Sequence, residues 1–328
     1  MKRIGYVYEK VVDYDNIVAA MAEHDQKRPI HKRRGIDYRL AWEIKNRMQN
    51  DFKNLIGIPK KKTIVEYGKE RKLQIPSYES CIAQIALWRI CEPYVNSRIH
   101  SQSFACRKGF GGHLAAKKLE RFVHQNIDKD AKYFLYFDIR HFYQHVDHEI
   151  VMENLKRIFK DQKILDMFQI IVDSSEEGLS IGYPFSHHLA NLYLVPLYFK
   201  LRNIKNISKA YVYMDNWIVL SKYKKPLKKA IEEAHVWLKN VKCKVKGDWQ
   251  IAPVKARAIK FCGFQISDKQ TKLFKGNWKR TLKDFKKAKE GNEKAILSMQ
   301  SRRGWLRAIR REFSNIFKLK NEKFLWKI

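Results

Sequence analysis

The chain has 328 residues, with 67 Lys and Arg against 34 Asp and Glu, and a formal net charge of +33. A surplus of that size calls for a polyanion, nucleic acid first, and the 45% of hydrophobic residues can fill the core of one large domain or of two to three small ones. No apolar run reaches the ~18–20 residues that span a bilayer. The opening MKRIGYVYEKVV lacks the apolar stretch of a secretory signal. Cys81, Cys91, Cys106, Cys243 and Cys262 are scattered, odd in number and form no CxxC pair, which argues against a disulfide framework and a zinc site and fits a reducing cytoplasm.

In chain order, residues 11–58 read as charge-rich helices. KKKTIVEYGKERKLQIP follows as two short alternating strands around Tyr67-Gly68, a hairpin. Residues 78–98 place Ile82, Ile85, Ala86 and Ile90 at helical spacing. SFACRKGFGGHLAAKKL turns through its glycines into another helix. YFLYFDIRHFY, residues 133–143, is aromatic and strand-prone, hence a strand followed by a tight turn, and helices are expected over about 148–173. After the Gly178 and Gly182 loops, SHHLANLYLVPLYFKLR is helical again. AYVYMDNWIVLSK has two strand-like halves flanking Met214-Asp215-Asn216, hence a hairpin. PLKKAIEEAHVWLKN is helical, CKVKGDWQIAP and IKFCGFQIS are strands around a turn, and the chain from about 270 is helical and very basic. The fold class is α+β.

Acids are scarce, so those on aromatic strands stand out. Asp138 lies within Tyr136-Phe137-Asp138-Ile139 and Asp215 at a hairpin tip. A carboxylate among apolar residues is costly unless compensated. Two of them on neighbouring strands suit phosphoryl transfer by two Mg2+ ions about 3.5–4 Å apart, with the backbone carbonyl of Ile139 as a further ligand. Either one alone also reads as an Asp capping a turn. Arg71 and Arg107 are candidates for a triphosphate, because the guanidinium fork meets phosphate oxygens bidentately. Gly109, Gly111 and Gly112 would let backbone approach a phosphate.

Taken together, KERKLQIP, SFACRKGFGGHLAAKKL, FDIRHFYQHVDHEI, EEGLSIGYPFSHHLANLYL, VYMDNWIVL, KVKGDWQIAPVKARAIKFCGF and SRRGWLRAI resemble a bacterial reverse transcriptase. They are most similar to those of diversity-generating retroelements and related defence-associated reverse transcriptases, over roughly residues 1–315. The resemblance implies a right-hand polymerase. Residues 1–130 would form an N-terminal extension and fingers, 131–265 a palm with an antiparallel sheet and finger-derived helices inserted at about 150–190, and 266–328 a basic helical thumb. It makes Asp138 and Asp215 the catalytic metal ligands, with two Mg2+ or, alternatively, Mn2+. Tyr143 becomes the aromatic gate under the sugar, Arg71 and Arg107 hold the incoming triphosphate, and Lys246 lies near the leaving phosphate. Phe261-Cys262-Gly263-Phe264 resembles the turn that grips the primer, and Trp278 and Trp305 belong to the thumb.

Two positions depart from the family pattern. Asn216 stands where a second Asp is expected, and His187 follows Ser186 where Gln is usual, beside the nascent base pair. The implied activity is RNA-directed DNA synthesis from dNTPs, on a primer and template supplied by a dedicated non-coding RNA. Its product is DNA or an RNA–DNA duplex, with an accessory protein or a second reverse transcriptase subunit as a further partner and no membrane. The implied setting is a bacterial or phage-encoded antiphage defence system or a diversity-generating retroelement. The competing expectation is a catalytically impaired polymerase fold that binds RNA and supports a partner polymerase.

Overall fold

The computed structural model describes residues 2–66 and 69–302. The expected turn at Tyr67-Gly68 and the basic segment from 303 on, with Trp305, lie outside the described residues. The chain divides into two compact units. One comprises the described residues to Ser101, Ile139–Phe199 and Ala234–Val245. The other comprises Gln102–Asp138, Lys200–Glu233 and the described residues from Lys246 on. Among the described residues, no helix is long and apolar enough to cross a membrane.

The first unit is mainly helical. Its helices Tyr14–Gln26, Tyr38–Asn50, Tyr78–Asn96 and His148–Lys156 begin at Asp13, Asp37, Ser77 and Asp147. Each of these side chains accepts a backbone N–H of the first turn that would otherwise lack a partner. The core gathers Val11, Ile17, Met21, Ile44, Ile82 and Leu87, and aromatic contacts run from Phe159 to Phe168 to Phe185 to Trp88. An antiparallel hairpin, β1 (Lys60–Glu66) and β2 (Lys69–Ile75), pairs Lys60 with Ile75 through to Glu66 with Lys69.

β3 (Tyr133–Arg140) is the strand from which both units take a share. In the second unit, Tyr133–Asp138 pair antiparallel with β5 (Asn216–Ser221), which pairs in turn with β4 (Ile207–Tyr213). In the first unit, Ile139 and Arg140 pair with β6 (Lys244–Val245). Beyond a four-residue excursion, β7 (Gln250–Pro253) rejoins β3 at Tyr133–Tyr136. A small meander of β8 (Ile259–Phe261), β9 (Phe264–Ile266) and β10 (Thr271–Leu273) precedes helices Lys275–Lys289 and Glu293–Ser301. The core of this unit is Phe104, Phe134, Ile218, Phe261, Phe264 and Phe285 with their neighbours, and Trp278 packs against it.

The structure sharpens the sequence reading at two elements. β3 stops at Arg140, because His141 takes φ 49°. That left-handed step leaves extended geometry and opens the short helix Phe142–His145. Residues 186–202 form two helices, Ser186–Tyr193 and Val195–Arg202. Pro196, which has no backbone N–H to give, suits the first turn of a new helix and not the interior of a continuous one.

Candidate active site

By the two-residue period of a strand, Tyr136, Asp138 and Arg140 share one face of β3. Asp138 is in register with Asn216 of β5, and Asn216 with Tyr213 of β4. Met214-Asp215 is therefore a two-residue turn that closes the hairpin beside Asp138. Met214 takes φ 55°, a left-handed conformation that costs a non-glycine residue on the order of 1 kcal/mol. The turn brings the Asp215 carboxyl within hydrogen-bonding reach of Asp138. Burial and then the Asp215 charge push the Asp138 carboxyl up to about 7, against the pull of Lys246. Two acids competing for one proton are poised to exchange it for a hard cation.

Asn216 is held in place. The Tyr136 hydroxyl donates to Asn216 Oδ1 at 3.2 Å, and Asn216 Nδ2 donates to Asp215 Oδ1 at 3.4 Å. Burial, then the charges of Asp138, Asp248 and Asp215, raise the Tyr136 phenol above its ordinary value, so it remains a donor. An ionised Asp at 216 could accept from Tyr136 but could not donate to Asp215. The amide does both.

The excursion between β6 and β7, Lys246 to Trp249, passes the end of this site. Lys246 N–H donates to the Asp138 carbonyl at 2.8 Å. Its Nζ is paired with Asp248 at 2.9 Å, and the Lys246 ammonium is raised chiefly by that bond, with Asp138 and Asp215 adding to it. In the same unit, Arg107 Nη1 donates to the Ser103 carbonyl at 2.9 Å. Its guanidinium lies 4.2 Å over the Phe110 ring, and burial lowers its pKa. Gly109 and Gly111 adopt positive φ with open space around them, whereas a Cβ on Gly112 would stand 3.2 Å from Cys262 Cβ. Gly112 therefore serves close packing against the Phe261–Phe264 turn.

The first unit holds the other expected residues. Arg71 is exposed on β2, opposite Ile64. Gln74, further along β2, docks on the glycine loop. Its N–H donates to the Ile181 carbonyl at 3.0 Å, and its side-chain oxygen accepts from the Ser180 hydroxyl. A Cβ on Gly182 would come within 2.5 Å of the Gln74 carbonyl oxygen, and one on Gly178 within 1.9 Å of the Tyr143 carbonyl oxygen. That same Tyr143 oxygen accepts from Leu179 N–H at 2.8 Å. One loop thus ties the hairpin to the backbone of Tyr143. An open cavity of about 390 Å3 lies alongside, lined by residues including Lys61, Lys72, Gln74, Gln144 and Ser180. His187 lies 4.2 Å from the His188 ring, which is 4.5 Å from Trp88. Burial lowers His187 to about 4, so it is neutral at neutral pH.

A family model described as reverse transcriptase (RNA-dependent DNA polymerase) matches residues 26–266. The chain belongs to the reverse transcriptase family. Reverse transcriptases are nucleotidyltransferases, and polymerases of this family use divalent metals. Among solved structures the chain is similar to apo telomerase from Candida tropicalis truncated of its C-terminal domain. That match has 15% identity and a TM-score of 0.53, over 67% of this chain and 55% of that one. Telomerase from the same organism in complex with a TWJ fragment of telomeric RNA matches at 13% identity and TM-score 0.54, over 73% and 49%. The Candida albicans complex with such a fragment matches at 10% and 0.50, over 69% and 47%. The chain therefore spans about half the length of these telomerases. No curated protein matches it. Family and likeness together give this reverse transcriptase the right-hand polymerase fold.

Among the described residues, no group of three or more His, Cys, Asp or Glu could by itself hold a metal ion. The candidate donor set is leaner: Asp138 and Asp215, with the Ile139 backbone carbonyl as a further candidate. It still fits Mg2+, which keeps waters and substrate phosphates as ligands and needs only one or two protein carboxylates. Tyr136 and Asp248 are the site residues that sequence reasoning missed. The two-residue period linking Tyr136 to Asp138 could have found the first. The proximity of Asp248 depends on how two strands pair with β3, and no local signal carries it.

Proposed function

We propose that this chain is an RNA-directed DNA polymerase that adds dNTPs to a primer 3′-OH, with Asp138 and Asp215 holding two Mg2+ ions. What supports this reading is the register that sets Asp138 opposite Asn216, next to the Met214-Asp215 turn, with the Asp138 carboxyl raised by burial and by Asp215. When bound, the ions would acidify the primer hydroxyl and neutralise the leaving phosphates. The Ile139 carbonyl completes the ligand set. Asn216 orients the Asp215 carboxyl and is itself oriented by Tyr136. Lys246 exchanges Asp248 for the leaving phosphate. Arg71 and Arg107 hold the incoming triphosphate, Tyr143 excludes a 2′-hydroxyl, and a neutral His187 lines the nascent base pair.

In this reading residues 1–130 are the N-terminal extension and fingers, 131–265 the palm and 266–328 the thumb. The template and primer come from a dedicated non-coding RNA, and the large positive charge holds its duplex with the DNA product. Such an enzyme serves an antiphage defence system or a diversity-generating retroelement. The test is incorporation of labelled dNTP by the purified protein with its co-purifying RNA. Wild type should incorporate, and Asp138→Asn and Asp215→Asn should not. Equal incorporation by all three would reduce the chain to an RNA-binding scaffold.

A further inference from the structure

Apart from the carboxylate pair, the first unit carries a cavity of about 230 Å3 lined by Arg140, His141, His145, Lys242 and Lys244. Arg140 and Lys244 are directly opposed in the β3–β6 ladder, where like charges repel. His141 and Lys242 take φ 49° and 59°, left-handed conformations that persist in non-glycine residues where surrounding structure enforces them, often at ligand clamps. His145 Nδ1 lies 2.9 Å from the His141 carbonyl oxygen, which fixes the ring and leaves Nε2 for another partner. Among the described residues, Asp147 is engaged here, 2.6 Å from Lys242, and it also caps helix His148–Lys156. Repulsion and strain gathered at one concave spot call for an anion.

We propose that this cradle binds inorganic pyrophosphate. Its described lining is three cationic side chains and two histidines, more positive charge than ring surface, which favours a compact polyanion over a run of stacked bases. Its small volume suits a compact polyanion, and an Arg beside two Lys suits phosphate oxygens. Pyrophosphate is the product of the nucleotidyl transfer proposed above, and Arg140 follows Asp138 by two residues on the same face of β3. The choice of this anion rests on that reading.

The experiment titrates pyrophosphate into the metal-free full chain while lysines are pulsed with acetic anhydride and mapped by mass spectrometry. Lys242 and Lys244 should be protected at pyrophosphate concentrations that leave the exposed Lys269 reactive, and sulfate at equal ionic strength should not protect them. Arg140→Gln with Lys244→Gln should weaken pyrophosphate binding by about 10-fold or more, the scale of losing charge-assisted hydrogen bonds, with an unchanged circular dichroism melt. Uniform protection of all three lysines overturns the proposal. So does an oligothymidylate that protects Lys242 and Lys244 at lower concentration than pyrophosphate, which would reassign the cradle to a nucleic-acid backbone. Repeating the footprint on Asp138→Asn separates the two claims. Protection that survives without dNTP incorporation keeps the cradle, and incorporation by wild type without protection removes the cradle alone.

Discussion

Two hairpins in this chain are built to opposite specifications. The β4–β5 hairpin is almost wholly buried along β5, closes in two residues with Met214 left-handed, and presents one carboxylate. The β1–β2 hairpin is exposed, with Val65 at 71% and Ile75 at 42%, and presents a row of Lys and Arg. On the proposed reading Asp215 binds metal and must be placed to within a fraction of an ångström, and packing, register and a strained turn all constrain it. On the same reading Arg71 meets a phosphate through a Coulomb attraction that acts over a longer range than a metal bond, though water weakens it, so its placement on an exposed strand can be less exact.

That contrast breaks most sharply at the carboxylates. Asp138→Asn should cut incorporation by about 10³-fold or more, as losing a charge-stabilising group does, while the metal-free protein becomes more stable. The sign follows from the raised carboxyl. With Asp138 near 7 in the fold and near the ordinary Asp value when unfolded, the native state binds the extra proton between about pH 4 and 7. Metal-free stability should therefore fall as pH rises through that window and level off above it, and Asp138→Asn should flatten the curve in denaturant titrations at several pH values. Mg2+ affinity should rise over the same window, because binding releases the proton.

Next in size is the loop that ties the exposed hairpin down. Gly178→Ala forces a Cβ against the Tyr143 carbonyl at φ +56° and should cost about 2–4 kcal/mol in the urea midpoint. Gly182→Ala should behave similarly through Gln74. Tyr136→Phe removes the bond that holds Asn216. We expect about a 10-fold rise in the Mg2+ concentration for half-maximal activity, the usual effect of a lost outer-shell partner, with a modest drop in Tm. The smallest structural effect belongs to the exposed strand: Arg71→Ala should raise KM for dNTP several-fold and change stability by less than about 0.5 kcal/mol. A large loss of stability there would erase the distinction between the two hairpins.

Much of this was legible in sequence. The hairpin around Met214-Asp215, the strand bearing Asp138 and the glycine turns at 109–112 and 178–182 each carry a local signature of alternation or punctuation. What stayed hidden is non-local. That Gly178 and Gly182 are needed for contact with Tyr143 and Gln74 depends on which segments dock together. The left-handed His141 breaks β3 without a glycine to announce it. Asn216 reads in sequence as a loss of charge, and only its two hydrogen bonds reveal a neutral group positioned to orient an acid.

The pairing of Asp138 with Asn216 also sets what this tip can become. Side chains alternate faces along each strand, so one added residue in the Met214-Asp215 link would displace Asp215 from Asp138, and one step of slippage between β3 and β5 would turn the side chains of one strand to the opposite face. Substitution at the tip leaves that geometry standing, as the amide at 216 illustrates, whereas a change in its length does not. Variation in this motif is thus open in chemistry and closed in count.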